Sequence, residues 1–305
     1  MRRQLKHLVE SVLVGSGAAR AARRLNAGRG LVLAYHNIVP DGAAPDGDTS
    51  LHLPQRQFAW QLEHLAAHCT VVSLDRLLAG PAAPDPRPLV AVTFDDAYLG
   101  TVTAGVEELA RRGLPATIFV APAFVGGGSF WWDRLSARGT SGPAPGVRSH
   151  ALAECRGREA DVKAWAAAAG VPSRDVEPHM RVAGEEELGS ALRHRGLTLA
   201  SHTWSHPNLA RLSSPDELAR ELALPLEWLR DRFAAAARPW LAIPYGISSP
   251  EVARAAEAAG YRAAFRVSGG WLPAERRDAF SLPRLNVPAG LSRNGFALRC
   301  AGMLS

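Results

Sequence analysis

The chain alternates between two hydrophobic rhythms. Continuous apolar runs of strand length occur over residues 31–36, 70–74, 89–94, 116–120, 197–201, 240–244, 262–267 and 281–287. Between most of them, apolar positions fall three and four apart, as a helix with one buried face requires. Phe58, Leu62, Leu65 and Ala66 mark one such helix, and Val102, Val106, Leu109 and Ala110 another. Ser214, followed by Pro215 and by Glu217 three residues on, predicts a capping box with proline at the first helical position. Ser249-Pro250 opens a further helix in a similar way. Strand–helix alternation repeated this often predicts a mainly parallel α/β sheet with helices outside it. At 305 residues a distorted (β/α) barrel of seven or eight strands fits better than an open sheet.

Two segments interrupt the alternation. Residues 80–88 form a proline-rich connector leading into the run at 89–94. Residues 126–185 are too long for a plain connection and are expected to elaborate one rim of the barrel. They begin with Gly126-Gly127-Gly128 and contain Trp131-Trp132-Asp133. The paired tryptophans suit sugar stacking, and they suit a hydrophobic plug equally well. The expected organisation is a basic amphipathic segment at 1–30 and one barrel at 31–295, with the inserted region at about 126–185.

Charge changes this picture in one place. Of 35 basic and 29 acidic residues, Arg2, Arg3, Lys6, Arg20, Arg23, Arg24 and Arg29 fall in the first 30, against the single acid Glu10. The remainder is balanced, so the net charge of +6 belongs to the N-terminal segment. A nucleic-acid partner needs a basic face on the folded body, and none is expected. Leu5, Leu8, Val9, Val12 and Leu13 share one helical face, with Arg2, Arg3 and Lys6 toward the other side. Such a helix suits peripheral contact of residues 1–25 with an anionic membrane, or packing on the outside of the domain. Glu10 interrupts the apolar core before any Ala-x-Ala-like site, which argues against a cleaved signal peptide and for the cytoplasm. Membrane association through this helix and export by a signal peptide both stay open. Cys69, Cys155 and Cys300 are an odd, widely spaced set and suggest neither a disulfide framework nor a thiolate zinc site.

The candidate chemistry sits where strands end. In a parallel barrel, functional side chains lie at the C-terminal ends of strands. Asp95, Asp96, His202, Tyr245 and His36 each stand at such an end. One carboxylate and two imidazoles, His202 and His206, are enough for a catalytic divalent metal with an open position, leaving the second carboxylate as a base. Pro207 disfavours a helix at His206, so the histidine pair belongs on a loop.

Thr93-Phe94-Asp95-Asp96, then Ser201-His202-Thr203-Trp204-Ser205-His206, then Leu241-Ala242-Ile243-Pro244-Tyr245-Gly246 resemble three motifs of the polysaccharide deacetylase family (NodB homology, carbohydrate esterase family 4). The resemblance spans about residues 31–290. It implies a NodB-like barrel and a metal-dependent hydrolase that removes acetyl groups, N-acetyl before O-acetyl, from a sugar in a glycan or lipid-linked precursor. It also implies Asp96, His202 and His206 as metal ligands and Asp95 as the general base toward water. The backbone N–H of Tyr245 would help to hold the oxyanion. Zinc is the default ion, and cobalt, nickel, manganese or iron suit the same ligands.

Three departures from the family pattern stand out. Ala242 occupies the place of an arginine that orients the base, and Arg284 on the last strand is the candidate to replace it. No histidine follows His206, so the acid toward the leaving amine is assigned by elimination to His36, in a Tyr-His pair that resembles circularly permuted members. The tryptophan of the acetyl pocket has only Trp271 as a candidate. A glycan-binding protein that keeps the fold but has lost catalysis is the alternative. An iron(II) oxygenase would use two histidines and a carboxylate in an all-β barrel, which this alternation excludes, and would have no need of Asp95.

Overall fold

The computed structural model describes residues 2–80, 85–273 and 278–303. Residues 81–84 of the proline-rich connector thus lie outside the described residues. Ten strands appear among those described: β1 (Gly30–Tyr35), β2 (Asn37–Val39), β3 (His52–Pro54), β4 (Thr70–Val71), β5 (Leu89–Phe94), β6 (Ala116–Val120), β7 (Leu197–Ser201), β8 (Ala237–Ala242), β9 (Ala263–Val267) and β10 (Leu282–Asn286). Each of the eight expected runs overlaps a strand, with β8 beginning at Ala237, ahead of its run at 240–244. The run at 70–74 shortens to β4 because Ser73 caps a helix at Leu74–Ala79, its side chain accepting from the Arg76 N–H. The small parallel pair β2–β3 was not expected.

Seven strands close a parallel barrel in the order β1-β10-β9-β8-β7-β6-β5, with β5 returning to β1. β1 and β5 pair along their whole length, from Gly30 beside Leu89 to Tyr35 beside Phe94. The other edge of β5 is shared: the extra strand β4 pairs with its start and β6 with its end. Both faces of β5 are buried, which is why its sequence runs apolar without alternation. Leu89 and Ala91 join an inner cluster with Val32, Phe119, Phe265 and Leu282. Val90, Val92 and Phe94 join an outer cluster with Phe58, Leu62, Leu65 and Leu109.

The expected helices surround the barrel at Gln55–His68, Val106–Arg112, Pro215–Phe233 and Pro250–Ala258, the second preceded by a wide π turn at Thr101–Gly105. Ser214 caps its helix by accepting from the Glu217 N–H, but the reciprocal half of the capping box is replaced by an ion pair of Glu217 with Arg158. Residues 126–185 hold helices at Trp131–Arg134, Pro145–Ala153 and Glu159–Ala168. At the start of the chain, helices Arg2–Gly15 and Ala18–Leu25 pack on helix Arg293–Arg299, with Leu13, Val14 and Ala22 against Leu298 and Ala301. Among the described residues no helix is long and apolar enough to cross a membrane.

Candidate active site

The strand ends converge on a cleft lined by His36, Asp95, Asp96, Trp132, His202, His206, Tyr245 and Asn286, among others. Backbone conformation aims several of these side chains. The Asp95 N–H continues the β1–β5 ladder by donating to the Tyr35 carbonyl at 2.9 Å. The chain then turns left-handed, with φ of 72° at Asp96 and 51° at Ala97. Thr203, His206 and Tyr245 also have positive φ, at 65°, 57° and 59°. Each such residue costs on the order of 1–3 kcal/mol. Local bonds hold them there: Thr203 N–H to Ser201 Oγ at 3.1 Å, and His206 N–H to Thr203 Oγ1 at 3.0 Å. Strain gathered at one cleft in this way marks a functional site. The loop after Asp96 is pinned close to β2, where Gly100 is required because a Cβ would meet the Ile38 carbonyl oxygen at 2.2 Å.

Asp96, His202 and His206 form a group that could hold a metal ion. Asp96 Oδ1 lies 3.6 Å from His202 Nε2 and 3.5 Å from His206 Nε2, and the two Nε2 atoms are 3.1 Å apart. Tetrahedral ligands bonded at 2.0–2.1 Å stand about 3.3 Å from one another, so these separations suit one small cation. Electrostatics agree. Asp96 Oδ1 is buried with no hydrogen-bond partner. Burial, with the ionised Asp95 next to it, pushes the Asp96 carboxyl well above its ordinary range. Burial also pulls both imidazoles down, His206 further by the neighbouring His202, which favours neutral rings that each keep one lone-pair nitrogen. His202 Nδ1 pairs with the Ala242 carbonyl at 2.8 Å, which makes Nδ1 the donor and leaves Nε2 as the lone-pair atom. A divalent cation bound there would supply the counter-charge that this carboxylate lacks.

Asp95 has the opposite surroundings. Its two oxygens accept from Arg284 Nη1 and Nη2 at 2.6 and 2.7 Å, a bidentate pair with the guanidinium wholly buried. Burial alone would raise the Asp95 carboxyl, but Arg284 and His202 hold it well below the usual carboxylate range. Arg284 Nη1 also reaches Thr93 Oγ1 at 3.2 Å, and its guanidinium rests 5.1 Å from the centre of the Phe119 ring. Two adjacent carboxylates are therefore driven apart: one is held charged by an arginine, and the other is raised by burial and by its charged neighbour.

His36 is half-buried on the cleft wall. Burial pulls its imidazole down to about 4 despite the pull of Asp95 upward, so the ring is neutral at neutral pH. Tyr245 lines the same cleft, its hydroxyl accepting from Trp131 Nε1 at 3.1 Å. Trp131 and Trp132 are both buried, so neither offers the open face that sugar stacking needs, and the plug of the two expected outcomes describes them. Trp132 still forms part of the cleft wall, its ring 5.0 Å from that of His206. Trp271 is not brought to the cleft. It bridges to Leu31 at the opposite, strand-start end and donates to the Arg299 carbonyl at 3.4 Å.

A buried polar chain behind this wall had no sequence signal. Asp133 accepts from the Tyr98 hydroxyl at 2.8 Å and pairs with His52 Nε2 at 2.9 Å, while Tyr98 Oη accepts from Trp132 Nε1 at 3.0 Å. These partners come from three separate elements, which no local spacing relates.

A family profile described as "Polysaccharide deacetylase" matches residues 82–264, more than half of the chain. No curated protein matches the sequence. Several solved structures share the fold. The Streptococcus pyogenes deacetylase PplD, in complex with acetate, has a TM-score of 0.61 at 16% identity, with 90% of this chain and 99% of that one covered. IcaB from Ammonifex degensii has a TM-score of 0.61 at 17% identity, covering 90% and 97%. A polysaccharide deacetylase from Bacillus cereus has a TM-score of 0.61 at 17% identity, covering 89% and 69%. At these identities the likeness is one of fold. The profile match leaves out β1, which His36 follows, and β10, which carries Arg284.

Proposed function

Because the chain belongs to the polysaccharide deacetylase family, we propose that it hydrolyses an acetyl amide on a sugar of a glycan or a lipid-linked glycan precursor, using one divalent metal held by Asp96, His202 and His206. Zinc is the first candidate for that metal. The observation that carries this reading is the contrast between Asp95, fixed and charged by Arg284, and Asp96, buried without a counter-charge beside two neutral imidazoles. When bound, the ion supplies Lewis-acid polarisation of the acetyl oxygen and acidification of water.

The chain's own residues do the rest. Asp95 accepts the proton of the attacking water at a carboxylate oxygen, and Arg284 keeps that group ionised and oriented. The Tyr245 N–H faces the oxyanion in this scheme. His36 is neutral, so it passes on a proton taken up during the turnover rather than one held in store, and hands it to the leaving nitrogen. Trp132 and its neighbours keep bulk water from one side of the ligands. The place of action in this reading is the cytoplasm.

Acetate release from a panel of acetylated sugars tests it, with protein stripped of metal and reconstituted with zinc or cobalt, and Asp95→Asn run alongside. Metal-restored release that falls by several orders of magnitude in Asp95→Asn is expected. Tight metal binding with no release from any sugar or lipid-linked precursor would refute catalysis and leave a glycan-binding protein.

A further inference from the structure

The N-terminal helices turn an apolar stripe outward. In helix Arg2–Gly15, Leu5 and Leu8 are each 62% exposed and Val12 is 59% exposed, with Val9 beside them on the same stripe. The helix meets the barrel through another face. Glu10 is buried and accepts from the Ser292 hydroxyl at 2.6 Å, and Leu13 and Val14 pack near Leu298. Glu10 is the one acid among residues 1–30, so turning it inward leaves that segment's outer surface apolar and basic.

The next helix continues the pattern. After Gly17, with φ of 81°, helix Ala18–Leu25 carries Arg20, Arg23 and Arg24 and leaves Leu25 exposed. Those arginines line a cleft with His68 and Arg87, and its described lining contains no carboxylate. An exposed aliphatic stripe, followed along the chain by guanidinium groups with no ion-pair partner among the described residues, matches a surface of lipid chains edged by phosphates.

We propose that residues 2–25 dock this protein on an anionic phospholipid bilayer, with Leu5, Leu8, Val9 and Val12 entering the headgroup boundary and Arg20, Arg23 and Arg24 meeting lipid phosphates. A second copy of the chain fits less well, because a two-fold contact sets the same basic patch against itself. A nucleic acid would leave the aliphatic stripe unused. Ser292, which anchors Glu10, follows β10, so helix Arg2–Gly15 is fixed to the segment after that strand.

Sedimentation of the full chain with vesicles tests the proposal, comparing phosphatidylglycerol–phosphatidylcholine mixtures with phosphatidylcholine alone. The expected result is partition onto the anionic vesicles that weakens with salt. Each of Arg20→Ala, Arg23→Ala and Arg24→Ala should weaken it about fivefold, and Leu8→Asp with Val12→Asp should weaken it more. A tryptophan placed by Leu8→Trp should shift its emission to the blue on those vesicles, which reads insertion without disturbing the fold. No partition onto anionic vesicles overturns the proposal. So does concentration-dependent dimerisation that Leu8→Asp abolishes, which would assign the stripe to a second copy.

Discussion

Replacing Arg284 by methionine keeps most of the side-chain volume and removes the two charged hydrogen bonds, at 2.6 and 2.7 Å, that hold Asp95. Both groups are buried, so no water takes over. Breaking one partner of a buried ion pair costs about 3–5 kcal/mol. The same loss acts on the chemistry. With the guanidinium gone, burial acts on Asp95 unopposed by its main counter-charge, and its carboxyl rises. The base then becomes protonated on the acid side of the working range, and kcat/KM should gain an acid limb that the parent lacks. Loss of a general base in its correct state is worth roughly 10²–10⁴ in rate. The assay is acetate release against pH on metal-loaded protein, with chemical unfolding in parallel. Asp95→Asn combined with Arg284→Met should cost less stability than the two singles together, because each single leaves the other group stranded. Adding Ala242→Arg to Arg284→Ala, which offers a cation from the position the family uses, should recover part of the rate. An Arg284→Met protein with the parental pH profile and under about 1 kcal/mol of lost stability would refute the assignment.

The remaining predictions concern metal, backbone and pH. Asp96→Asn, His202→Ala or His206→Ala should each abolish stoichiometric zinc binding, measured by dialysis and elemental analysis. In the parent, zinc at about 1,000 times its dissociation constant should add about 4 kcal/mol to stability, and the variants should lose that gain. Gly100→Ala should destabilise by several kcal/mol or fail to fold, since its Cβ would overlap the Ile38 carbonyl and Asn37 Oδ1; unfolding midpoints check it. His64 has its pKa pushed from 6.5 down to about 4, by burial first and by His68 next. The unfolded chain takes that proton more readily, so stability should be full above pH 6.5 and fall as pH drops toward about 4. His64→Gln should flatten that decline in unfolding midpoints measured between pH 7.5 and 4.5.

Most of the architecture was legible because it is locally encoded. A parallel strand with two buried faces must be apolar throughout, so 89–94, 116–120 and 197–201 announce themselves. Short elements escaped. β2 and β3 are three residues each, too short for any period to show, and they exist because Asn37 and His52 are drawn together, their side chains 2.9 Å apart, in a buried polar chain. The helices at Pro145–Ala153 and Glu159–Ala168 bury only Ala151, and Val162 with Ala166, so no apolar stripe marks them in the sequence. The tryptophan pair was legible as a feature and illegible in its use, since stacking and plugging share one sequence and differ only in what covers the rings.

At the site the division is sharper. Asp95, Asp96, His202 and His206 could be proposed from the chain alone, because each pair is local and follows a strand whose end is readable. Arg284 is different in kind. The departure at Ala242 made it a candidate, but it stands 189 positions from Asp95, and no spacing between the two names the pairing. The two meet because β1 pairs with β5 on one edge and with β10 on the other, so closing the ring sets inward side chains of β5 and β10 across β1. Likewise, amphipathicity made residues 2–15 a helix in the sequence, but which face it buries was decided by Ser292 and Glu10. Local periodicity and motif order are properties of neighbouring residues. Charge pairing across a closed barrel, and the choice of which face meets solvent, exist only once distant segments share one interior.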